Sequence, residues 1–137
     1  MFKNTNKFEL TPKLSFAIAM LYMASVDETI DRDEIRYISA IMHGDMGTLS
    51  KANKYIKQAI QKNMTFYNFL EESKKLLSLQ QKECIILNLI DIMFLDENIS
   101  SYEEKLLKLI IKEYEFDLER YEQYKSIICI KNNHSIF

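Results

Sequence analysis

Five carboxylates crowd the nine residues V26-D-E-T-I-D-R-D-E34, directly after a run of apolar residues. Asp and Glu oxygens are hard ligands suited to Ca²⁺, Mg²⁺ or Mn²⁺, so the stretch is a candidate cation site. The spacing is not that of an EF-hand. With Asp27 as first ligand, Arg32 stands at the turn-glycine position and Ile38 at the bidentate one. A helix cap accounts for part of the same acids: Asp31-R-D-Glu34 has capping-box spacing, with Asp in place of the usual Ser or Thr. Such a cap is worth about 1 kcal/mol, and it leaves Glu28 and Asp33 solvated. Asp27 precedes the box by four residues. It is either a cation ligand or a loop residue bonded to nearby backbone amides.

The stretch has an echo. L21-Y-M-A-S-V-D-E-T-I-D-R-D-E34 aligns without gaps on I90-D-I-M-F-L-D-E-N-I-S-S-Y-E103, at an offset of 69 residues. Asp27 falls on Asp96, Glu28 on Glu97, Ile30 on Ile99 and Glu34 on Glu103; Ser100-S-Y-Glu103 is again a capping box. If the repeat brings both corners together, Asp27, Glu34, Asp96 and Glu103 converge. Like charges that close either take up protons or bind a cation.

Helices must position these corners. Thr11 and Pro12 suit a helix start, and L14-S-F-A-I-A-M-L-Y-M-A-S-V26 is apolar on almost every face, the pattern of a helix surrounded by protein. A second helix over 33–42 turns Ile35, Ile38, Ile41 and Met42 inward and stops at His43-Gly44. A third over 48–62 sets Leu49, Ala52, Ile56, Ala59 and Ile60 against lysines 51, 54, 57 and 62. A fourth fits 65–78, and a fifth is the apolar run C84-I-I-L-N-L-I-D-I-M-F-L95, a core helix because Asn88 and Asp91 interrupt it. A sixth covers 101–114 and a seventh 117–130. The expected architecture is all-α: one domain over 11–130 with about seven helices, built on two pseudo-symmetric hairpins related by a pseudo-twofold axis, between an extension (1–10) and a fraying tail (131–137).

The repeated pattern, an apolar helix followed by D-E-x-I-x-x-x-E, resembles the tellurite-resistance TerB-like family, an all-helical domain with A-D-G-E-I-x-x-x-E at each of two corners. The resemblance covers roughly residues 14–116, with Asp27 and Asp96 on the motif aspartates, Ile30 and Ile99 on its isoleucine, and Glu34 and Glu103 on its later glutamate. The motif glycine is replaced by Glu28 and Glu97. The resemblance implies a bacterial stress-response context, in some cases near membranes, and a divalent-cation site formed by these acids.

Other chemistry finds little support. His43 and His134 lack partners at zinc-ligand spacing, and no glycine-rich phosphate loop or Ser-His-Asp order occurs, so neither an enzyme nor a zinc site is expected. The aromatics Phe66, Tyr67, Phe69, Tyr114, Tyr121 and Tyr124 sit at helical spacing and suit a core or its rim better than base stacking. With a net charge of -2 the chain has no general attraction to nucleic acid. Peripheral membrane association is possible but not indicated by the sequence. Charge is unevenly spread: 51–82 holds seven Lys against Glu71 and Glu72, and 83–122 holds eleven acids against four bases. The face of Lys51, Lys54, Lys57 and Lys62 is therefore either solvated or a docking face for a membrane or an acidic protein partner, the latter being the adaptor alternative to cation binding. Cys84 and Cys129 are expected as buried free thiols, and with no apolar signal core at the start the expected compartment is the cytoplasm. Partner identity, ion identity and oligomeric state are not set by the sequence.

Overall fold

Thr11 starts the first helix as its chemistry requires: its Oγ1 accepts the Leu14 amide at 3.1 Å, and Pro12 takes the first helical position, where no donor is needed. The computed structural model describes residues 9–25, 32–95 and 101–137. Among the described residues the chain is all-α, with helices α1 (Pro12–Ser25), α2 (Arg32–Ile41), α3 (Met46–Gln61), α4 (Phe66–Leu76), α5 (Leu79–Met93), α6 (Ser101–Glu113) and α7 (Leu118–Asn132), then a 3₁₀ turn at His134–Ile136.

Buried residues lie on every side of α1, from Leu14 and Ser15 through Ile18, Ala19 and Met20 to Met23 and Ala24. α5 is its counterpart, with Ile85, Ile86, Leu89, Ile90, Ile92 and Met93 all buried, and the two helices pack against each other. α2 packs on α1 as α6 packs on α5, an arrangement consistent with two hairpins. The repeat does not stop there. α3 packs on α1 and α7 on α5, and the same offset carries the buried Ala52 and Ala59 onto the buried Tyr121 and Ile128. This is consistent with a three-helix unit on each side, with α4 between them.

Three helices end in the same way. Gly44 N–H bonds Ser39 O, Met64 N–H bonds Ala59 O and Phe116 N–H bonds Ile111 O, at 2.9, 2.8 and 2.9 Å, the long closing bond of a Schellman turn. The residue before each donor takes the left-handed conformation: His43 at φ 53°, Asn63 at 55° and Glu115 at 54°. At the α2 stop the non-glycine His43 thus takes the first left-handed position, and Gly44 follows at φ 71°. Several helices begin on side chains that the apolar pattern does not mark. Asp45 Oδ1 caps α3 through the Thr48 amide, Ser78 and Gln81 form a capping box on α5, and Asp117 caps α7.

Three expectations are corrected. Ile35 and Ile60 are 48% and 67% exposed, because the inward stripes of α2 and α3 are narrow and centre on Ile38, and on Ala52 and Ala59. Both cysteines are free but exposed rather than buried. Cys84 occupies the outer edge of α5, one residue before the buried Ile85–Ile86 pair. α7 continues to Asn132.

Candidate functional site

Glu34 and Glu103 are each the third residue of their helix, in the first turn of α2 and α6, where a carboxylate complements the positive helix end. They are also nearly out of water, at 7% and 3% exposure. A solvated capping residue would not need that burial, which opposes the charged form of a carboxylate. The next residue in α6, Glu104, shows the ordinary alternative. It is half-buried and bonded to Lys125 at 3.1 Å, which holds its carboxyl below the usual range.

Asp27 and Asp96, the other two candidate ligands, lie outside the described residues, as do Glu28, Glu97, Ile30, Ile99 and the expected caps Asp31 and Ser100. The structure thus sets one glutamate of each corner inward and equivalently. Among the described residues, no group of three or more His, Cys, Asp or Glu side chains is arranged to hold a metal.

The four candidate lysines are all exposed: Lys51, Lys54 and Lys57 on α3 and Lys62 at its C-terminus. Among the described residues none of them enters an ion pair, whereas Lys74, Lys108, Lys125 and Lys131 each face a carboxylate. α3 contains no acidic residue to neutralise them.

Two features escape the sequence reading. The first is a polar network on the outer side of α5. The Tyr37 hydroxyl lies 3.0 Å from both Asn88 Oδ1 and Asp91 Oδ2, while Asn132 Nδ2 and Lys131 Nζ each reach Asp91 Oδ1 at 3.0 Å. Burial works against the Asp91 charge, but the bonds from Asn132, Lys131 and Tyr37 outweigh it and hold the carboxyl below its ordinary range. Burial and the neighbouring Asp91 push the Tyr37 phenol well up. The network ties α2 and α7 to α5. Its signal in the sequence is the pair Asn88 and Asp91 inside an otherwise apolar run.

The second is a groove of about 540 Å³ between the start of α1, the end of α2 and the start of α5. Phe16, Ile41, Met42, Leu77 and Ile85 supply its apolar lining, and Lys13, His43, Asp45 and Cys84 its polar groups. Lys13 is ion-paired with Asp45; that bond, with the amide and hydroxyl of Thr48, holds the Asp45 carboxyl well below the usual range. No helix among the described residues is long and apolar enough to cross a membrane.

Comparison with protein families agrees with this architecture. The family model described as "Tellurite resistance protein TerB" matches residues 13–126, a span from the start of α1 to the middle of α7 that includes both acidic corners. No curated protein and no solved structure matches the chain.

Proposed function

Because the chain belongs to the TerB family, we propose that it is a non-enzymatic helical module that binds one divalent cation through its paired acidic corners. Asp27, Glu34, Asp96 and Glu103 are the ligands in this reading, and Ca²⁺, Mg²⁺ or Mn²⁺ is the ion, as hard carboxylate oxygens favour. The burial of Glu34 and Glu103 at matched helix starts carries the proposal. Two carboxylates drawn from water at equivalent places in a duplicated fold suit a site that both repeats share. The exposed free thiols of Cys84 and Cys129 fit the reducing cytoplasm expected for a stress-response module.

The test is a titration of metal-stripped protein with each ion, followed by thermal melting. A ligand that binds only the folded chain at a hundred times its Kd adds about 2.7 kcal/mol, so the midpoint rises. Asp27→Asn/Asp96→Asn removes the rise. An unchanged midpoint in wild type, or an equal response in the double variant, sinks the reading.

A second reading has its own observation. The exposed lysines of α3, without ion partners among the described residues, suit a metal-free adaptor that docks a protein through that face. Affinity capture with Lys54→Glu/Lys57→Glu distinguishes it, since retention of the same partners removes that face from consideration.

A further inference from the structure

The outward faces of α3 and α7, the third helices of the two repeats, carry opposite charge. On α3, Lys54 and Lys57 are exposed and outside any ion pair among the described residues. On α7, Glu119 and Glu122 are likewise exposed and outside any ion pair among the described residues. The basic residues of α7 do not cancel them, because each is engaged within the chain. Arg120 pairs with Glu83 at 2.8 Å, Lys125 with Glu104 at 3.1 Å and Lys131 with Asp91 at 3.0 Å.

The match extends to register. Antiparallel alignment of α3 and α7 that sets Lys57 against Glu119 also sets Lys54 against Glu122 and Met46 against Ile130. Met46 and Ile130 are 65% and 72% exposed, large apolar side chains that an isolated chain leaves in water. One alignment therefore satisfies two charge pairs and one apolar pair. Neighbouring positions on a helix surface recur every three or four residues, so these residues share an edge on each helix. Both faces are open on the same molecule. They can meet only between copies.

From this charge complementarity we propose that the partner of the α3 lysine face is the α7 acidic face of a second copy. The contact repeats head to tail when each face engages a different copy, and closes as a dimer when each copy's α3 meets the other's α7 across a twofold axis. Exposed ion pairs contribute little each. The association is accordingly weak, rises with concentration and weakens in salt. The proposal rests on the second reading above, that the α3 face is an interaction surface, and names what it meets.

Sedimentation velocity over a concentration series tests it, with circular dichroism to verify that each variant is folded. Wild type is expected to gain average mass with concentration at low salt and to return to single-chain mass at about 1 M salt, where the Debye length is roughly 3 Å. Lys54→Glu/Lys57→Glu and Glu119→Lys/Glu122→Lys each remain single chains alone, and an equimolar mixture of the two recovers association. Wild type that stays monomeric throughout, association that ignores salt, or a mixture that fails to recover it overturns the proposal. If Glu119→Lys/Glu122→Lys leaves association intact, self-pairing fails while the α3 reading stands on its own capture result. If Lys54→Glu/Lys57→Glu changes neither association nor capture, both fail.

Discussion

The two repeats share a plan and solve the same packing positions with different side chains. In the first, α3 packs on α1 with Ala52 and Ala59 buried, and α1 carries Ala17 and Ala24 where α5 has Ile86 and Met93. Small residues on both sides let the backbones come close. In the second, the matching α7 positions are Tyr121 and Ile128, and polar and aromatic contacts span α5 and α7. Tyr124 donates to Glu83 at 3.1 Å, Arg120 pairs with the same carboxylate, and Phe116 stacks on Tyr124 at 6.2 Å. A single position on the central helices shows the divergence. Tyr22 joins an aromatic cluster with Phe66 and Phe69, at 4.4 and 6.2 Å between ring centroids, whereas its counterpart Asp91 anchors a polar network. Several matched positions are buried in both halves (Ala17 and Ile86, Met20 and Leu89, Met23 and Ile92, Ala24 and Met93), yet different side chains fill them.

The sharpest way to break this comparison is to remove the large residue. Tyr121→Ala is expected to cost about 3–5 kcal/mol in urea unfolding, the range for deleting a buried aromatic ring. Tyr121→Phe is the control. Among the described residues the buried Tyr121 hydroxyl has no hydrogen-bond partner, and burial pushes its pKa up to about 12, so Phe is expected to match or exceed wild-type stability. The converse change, Ala52→Leu, is expected to cost about 1–3 kcal/mol through overpacking. If Ala52→Leu is neutral, α3 does not approach α1 as closely as the alanines require.

Asp91→Asn is expected to cost roughly 1–2 kcal/mol at neutral pH, since its hydrogen bonds to Asn132, Lys131 and Tyr37 lose their charge assistance. The sign of the pH dependence follows from the lowered carboxyl. The stability Asp91 adds is complete above the ordinary carboxylate value of about 3.9 and disappears as pH falls through the lower folded value. Unfolding measured in that acid range should show a shallower loss in Asp91→Asn than in wild type. The smallest effect is expected at the surface: Lys57→Glu should alter monomer stability by less than about 0.5 kcal/mol. A larger loss would mean that this lysine supports its own fold.

Much of the architecture was legible because apolar runs and caps act locally. The unbroken apolar run of α1, the Thr11-Pro12 start and the 69-residue echo are each visible in the sequence. The third member of each repeat was not, because Ala52 and Tyr121 have nothing in common except burial. Ile35 and Ile60 looked inward on a helical wheel, yet inward width depends on how closely the neighbouring helix sits. Cys84 misled for a related reason: an apolar run surrounding a thiol says nothing of which edge that thiol occupies. Glu34 and Glu103 stand out in the sequence by their spacing, but their burial was hidden because capping and cation binding use the same residues. Asp27 and Asp96 lie outside the described residues.

The unduplicated helix has a consequence for folding. Phe66 and Phe69 of α4 pack against Tyr22 of the first repeat, while Ser73, further along the same helix, shares a 2.6 Å hydrogen bond with Tyr114 of the second. The covalent bridge between two similar halves is thus also a clasp that grips both. Two copies with an unclasped bridge could trade halves, each first repeat nesting with another chain's second, at little enthalpic penalty. A bridge that packs on both halves of its own chain favours nesting within that chain over exchange between chains.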